Sequence, residues 1–85
     1  MIIYVSNLHF QVESDELKNL FSLFGEVDCA VVVKDRNTNM SRGFGFVEMC
    51  EEAAVHAAIS KLNGQILGDR QLVIKVSKPV ERSYL

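Results

Sequence analysis

Apolar and polar positions follow two periods along this chain, and each change of period marks an element. Residues 2 to 8, IIYVSNL, are β-rich and end at the turn-forming Asn7, which predicts a strand. Ser14 then precedes Asp15 and Glu16, an expected N-cap with acids in the first helical turn. Leu17, Leu20, Phe21 and Phe24 follow at i, i+3, i+4 and i+7, an apolar helical stripe expected to lie in the core, with Gly25 as its stop. VDCAVVVK, 27 to 34, predicts a second strand, and DRNTNMS, 35 to 41, a polar turn in which Asn39 takes the left-handed conformation. A third strand is predicted over 42 to 50. A helix follows from Glu51 to Leu62, with Val55, Ala58, Ile59 and Leu62 inward and Asn63-Gly64 at its end. A short loop with Gly68 leads to a fourth strand, QLVIKVS, 71 to 77, which Pro79 terminates.

The order is β-α-β-β-α-β, and the chain shows no linker, low-complexity tract or repeat. Right-handed crossovers put both helices of such a chain on one face of a four-stranded antiparallel sheet. The expected fold class is α+β, a ferredoxin-like split βαβ. Two short helices cover one sheet face and leave the other to water or a ligand.

The third strand makes this concrete. In RGFGFVEM, 42 to 49, alternation places Arg42, Phe44, Phe46 and Glu48 on one face and Gly43, Gly45, Val47 and Met49 on the other. Val47 and Met49 are expected to meet the helices, with the glycines permitting close packing. The phenylalanines then stand on the open face, where Val31 and Val33 extend the apolar platform.

RGFGFVEM, together with IYVSNL at 3 to 8, resembles the RNA recognition motif family. Arg42-Gly43-Phe44-Gly45-Phe46-Val47-Glu48 fits the family's octamer, and Met49 stands where a final aromatic is usual, a core position. Ile3 to Leu8 fits the shorter motif. DELKNLFSLFGEV, DRNT, AAISKLNG and GDRQL look like the family's helix and loop signatures, so the resemblance covers nearly the whole chain. It implies that Tyr4 and Phe46 each stack a base, that Phe44 packs against sugar rings and that Arg42 meets a phosphate. Bare aromatics on a rigid sheet stack unpaired bases on physical grounds as well, at about 1–3 kcal/mol per base. Asn-Thr-Asn-Met in the second loop replaces a glycine and a basic residue common in relatives, so that loop is expected to grip RNA weakly.

Net charge does not suggest a nucleic-acid partner: nine Lys and Arg stand against eleven Asp and Glu, for −2 overall. Placement matters more. Arg42 and Lys75 fall on the open face by alternation, and Lys34, Arg36 and Lys78 lie at strand ends near it. Glu48 is on the same face, where it repels phosphate but accepts hydrogen bonds from base amino groups. Ser6 and Ser77 complete the candidate RNA-binding set of Tyr4, Phe44, Phe46, Arg42, Lys75, Glu48, Lys34 and Lys78. His9 is as readily an idle loop histidine as an RNA contact, and His56 is expected in solvent.

With 85 residues, 48% of them hydrophobic, one folded domain is expected over 1 to 79, with a tail over 80 to 85 in which Tyr84 could fold over the sheet. No apolar run can span a membrane. The opening residues lack a secretory signal, and Cys29 and Cys50 lack metal or redox spacing, which fits a reduced, intracellular setting. No cofactor or metal is expected. Single-stranded RNA is the expected partner, with single-stranded DNA and a protein as further candidates. The chain is expected to be monomeric and cytoplasmic, or nuclear in a eukaryote, like the small single-motif RNA-binding proteins of bacteria. The competing reading is a protein-interaction module of the same fold, whose known peptide-binding variants tend to lose the open aromatics. A phosphate-ester hydrolase would need a phosphate-cradling loop with an arginine, and HFQVES has neither arginine nor glycine. The chain is therefore expected not to be an enzyme.

Overall fold

In the computed structural model, which describes residues 1–77, strand β1 spans Ile2–Ser6, helix α1 Ser14–Ser22, β2 Cys29–Lys34, β3 Ser41–Glu48, helix α2 Glu52–Leu62, β4 Ile66–Leu67, β5 Arg70–Gln71 and β6 Val73–Ser77. The predicted Lys78, the Pro79 terminator and the tail lie outside the described residues. The main sheet is four-stranded in the order β2-β3-β1-β6, with all pairs antiparallel. The two strands that carry the motif residues, β1 and β3, are therefore central.

One face of the sheet meets the helices. Ile3 and Val5 of β1, Val47 of β3 and Met49 just beyond it lie fully buried against Leu17 and Phe21 of α1 and Val55 and Ala58 of α2. Each large side chain so buried contributes about 1.5–3 kcal/mol. Leu20, Phe24 and Ile59 pack at the margin of this core, and among the described residues no polar or charged side chain is buried.

Several expectations are corrected in detail. Ser14 is the first residue of α1, and Glu13 is its N-cap without a side-chain cap bond. The Ser14 hydroxyl instead accepts from the Val32 N–H at 2.9 Å and so satisfies a donor on the edge strand β2. Gly25 does not take a left-handed stop: a side chain there would meet Ala54 of α2 at 2.6 Å, so its size lets the turn after α1 touch α2. The loop expected around Gly68 is a small hairpin, in which Ile66 pairs with Gln71 and Leu67 with Arg70. It takes Gln71 from the predicted fourth strand, which starts at Val73 after the buried Leu72. Asn39 has φ 60°, as expected for its turn.

Candidate nucleic-acid interface

Register decides which side chains share the open face, because directly paired residues of antiparallel strands point the same way. Tyr4 pairs with Phe46 on one side and Lys75 on the other, and Phe46 pairs with Val31. Val31, Phe46, Tyr4 and Lys75 thus form one row across all four strands. Next to it lie Phe44, Ser6 and Val73, and on the other side Cys29, Glu48 and Ile2, with the Ser77 backbone in register with Ile2. Tyr4 is 48% exposed and Phe44 39%, while Phe46, flanked by Val31 and Tyr4, is half-buried. Rings this open in the middle of a sheet form a patch that water covers poorly.

The two glycines of β3 serve different ends. A side chain on Gly45 would collide with the Val31 carbonyl oxygen, so Gly45 lets β2 lie close beside Phe46. Gly43 has φ +83°, which L side chains rarely adopt. It sits in a bulge: from the pair Val32–Gly45 to the pair Lys34–Ser41, β2 advances two residues while β3 advances four. The bulge breaks the simple alternation, yet the Arg42 guanidinium still comes within 5.8 Å of the Phe44 ring centroid, a cation–π distance.

The charged candidates differ in availability. Arg42, Lys75 and Glu48 are exposed. Lys34 is engaged elsewhere: its Nζ donates to Glu13 Oε2 at 2.9 Å, beside the start of α1. The Ser6 hydroxyl donates to the Val73 carbonyl at 3.3 Å. In the second loop, the backbone N–H groups of Thr38 and Asn37 hold the Asp35 carboxyl below its ordinary pKa. The Cys50 thiol donates to Asp28 at 2.9 Å, and that bond, with the carboxylate's charge, pushes its pKa up. His56 is exposed beside Glu52.

Asn7, Arg70 and Phe10 lie near the face and were not among the binding candidates read from the sequence. Asn7, at φ 62°, donates its Nδ2 to the Gln71 carbonyl and accepts from Arg70 on its Oδ1, both at 2.7 Å. Its place after a strand signalled the turn, but its partners are more than 60 residues away. Phe10 lies in a loop and belongs to no periodic stripe. Among the described residues no group of His, Cys, Asp and Glu is placed to hold a metal, and no helix is long and apolar enough to cross a membrane.

The chain is 49% identical over 76 residues to RNA-binding protein CP31B, chloroplastic, of Arabidopsis thaliana, covering 89% of this chain but only 26% of that protein. It covers 33% of the 28 kDa chloroplastic ribonucleoprotein of Spinacia oleracea, so it spans a quarter to a third of the length of these curated relatives. With RbpD of Nostoc sp. (strain PCC 7120) it shares 44% identity over 95% of this chain and 86% of that one. Among solved structures it is similar to RNA binding protein PG1, at TM-score 0.86 and 42% identity, with 93% of this chain and 98% of that one covered. It is also similar to the RRM of Rna15 with bound RNA (GU), at TM-score 0.82 and 26% identity over 96% of this chain and 87% of that one. The family model described as RNA recognition motif matches residues 3–73, from the first buried residue of β1 to the start of β6, and with the motif side chains on the open face of the sheet the chain belongs to the RNA recognition motif family.

Proposed function

We infer that this chain binds single-stranded RNA on the open face of its sheet and carries out no reaction there. The observation that carries the reading is the row Val31–Phe46–Tyr4–Lys75, with two aromatic rings side by side on the central strands and a cation at its end. Tyr4 and Phe46 each take a base, at about 1–3 kcal/mol per base. Phe44 lies along the sugars, and Arg42 and Lys75 meet phosphates. Glu48 accepts hydrogen bonds from base amino groups. The complex of the Rna15 RRM with RNA, similar to this chain in fold, supports RNA as the ligand. Single-stranded DNA binds as well, because stacking on the sheet needs no 2′-hydroxyl, and the binding unit is a monomer.

The test follows from stacking, which needs unpaired bases. Single-stranded RNA competes for the protein far better than duplex RNA of the same sequence in a fluorescence-anisotropy titration. Equal competition by the two would remove the stacking platform.

A further inference from the structure

Beside the end of the sheet where β3 starts, a hollow is lined by Arg42 and Phe44 of the open face and by Asn7, His9, Phe10 and Arg70 of the adjoining segments. Phe10 is 57% exposed. One side of its ring rests on the His9 imidazole, with centroids 4.6 Å apart and planes at 25°. His9 is itself held: its Nδ1 accepts from the Gln11 N–H at 3.1 Å, and its Nε2 lies 3.9 Å from the Asp69 carboxylate. Phe10 is thus an exposed ring backed by a fixed one.

The cations are equally prepared. Arg70 spends one guanidinium nitrogen on Asn7 Oδ1, at 2.7 Å, which leaves donors of its fork unspent. Arg42 reaches the hollow from the sheet side. Among the described residues neither arginine is in an ion pair, and Asp69, beside His9, is the only acid in the lining. Two unpaired guanidinium groups and an open aromatic ring around one hollow suit an anion attached to a flat base.

We propose that this hollow is a nucleotide subsite, which takes the nucleotide next to those on the sheet, with its base on the open side of Phe10 and its phosphate between Arg42 and Arg70. The proposal rests on the reading of the sheet as an RNA platform and extends it by one nucleotide. Continuity supports it. Arg42 and Phe44 belong to both places, and Phe44 is one strand repeat, about 7 Å, beyond the Phe46–Tyr4 row. A strand of RNA that leaves the row past Phe44 enters the hollow.

The test compares random-sequence RNA pools of two lengths, dinucleotides and hexanucleotides. Hexanucleotides shift the backbone amide resonances of Phe10 and Arg70 together with that of Phe46, whereas dinucleotides shift Phe46 alone. Phe10→Ala lowers hexanucleotide affinity about tenfold, within the range for one stacked base, and leaves the thermal melt unchanged. Arg70→Gln flattens the salt slope by about 0.7, the share of one phosphate. Shifts confined to the sheet, or wild-type hexanucleotide binding by Phe10→Ala, overturn the subsite. Loss of binding in Phe46→Ala beside wild-type binding in Phe10→Ala removes the subsite and spares the platform, while wild-type binding in Phe46→Ala removes both.

Discussion

The two faces of the sheet are built from the same strands and serve opposite ends. On the helix side, Ile3, Val5 and Val47 are fully buried, and with Phe21 and Leu17 they hold the fold together. On the open side, Tyr4 at 48% and Phe44 at 39% exposure support nothing beneath them. Neighbours along one strand, such as Phe46 and Val47, therefore belong to separate accounts. A domain of this kind is stable by only about 5–15 kcal/mol, so a strand that spends half its apolar side chains outside the core gives up stability for a surface. Substitutions that divide cleanly between melting and binding would confirm the separation, and those that affect both would break it.

The largest effect is expected from Phe21→Ala, which leaves a cavity beneath the sheet and costs about 3–5 kcal/mol in denaturant unfolding. The sharpest comparison is the neighbouring pair. Val47→Ala removes two buried methyl groups, costs about 2 kcal/mol of stability and leaves RNA affinity intact in the folded fraction. Phe46→Ala weakens RNA binding by about 1–3 kcal/mol and keeps the fold. A melt in which Phe46→Ala is unfolded and Val47→Ala intact would reverse the assignment of the faces. A smaller effect is expected from Arg42→Ala. Two or three phosphate contacts give a slope of log affinity against log salt of roughly −1.5 to −2, and losing one flattens it by about 0.7. Phe46→Ala leaves that slope unchanged. A wild-type slope near −5 on the same rule would place the dominant charge outside this face.

The smallest effect lies in the loop between β2 and β3, which belongs to neither face. Because folding lowers the Asp35 pKa, the order its carboxylate confers is present above the ordinary aspartate range and is lost as pH falls through the folded value. Amide exchange of residues 37 and 38, corrected for the intrinsic rate, rises on acidification to that range in the wild type. In Asp35→Ala the loop is loosened at neutral pH and its protection no longer depends on acid.

Most of the sheet face was legible in the sequence because strand alternation is a local property. Tyr4, Phe44, Phe46 and Glu48 follow from counting by twos along β1 and β3, and the pairing keeps Tyr4, Phe46 and Lys75 in one row. Counting by twos could not show that Lys34 is drawn to Glu13, because that partner comes from another element. It could not show the bulge at Gly43, where β3 gains two residues on β2. The Ser14 hydroxyl looked like a helix cap because serine before two acids often is one, but an unsatisfied N–H on the edge strand competed for it.

What the sequence by itself determined was therefore periodic: two amphipathic helices, strands with one apolar face, and an octamer whose aromatics had no place in the core. These follow from the geometry of each element and from the area of sheet that two helices can cover. Only the tertiary structure decided the strand order and which loops meet. Arg70 reaches Asn7, Gly25 touches Ala54, and His9 and Phe10 stand beside Arg42, across long separations in the chain. No local period encodes such meetings, because they depend on how the crossovers close and on which donors and acceptors remain unpaired when they do.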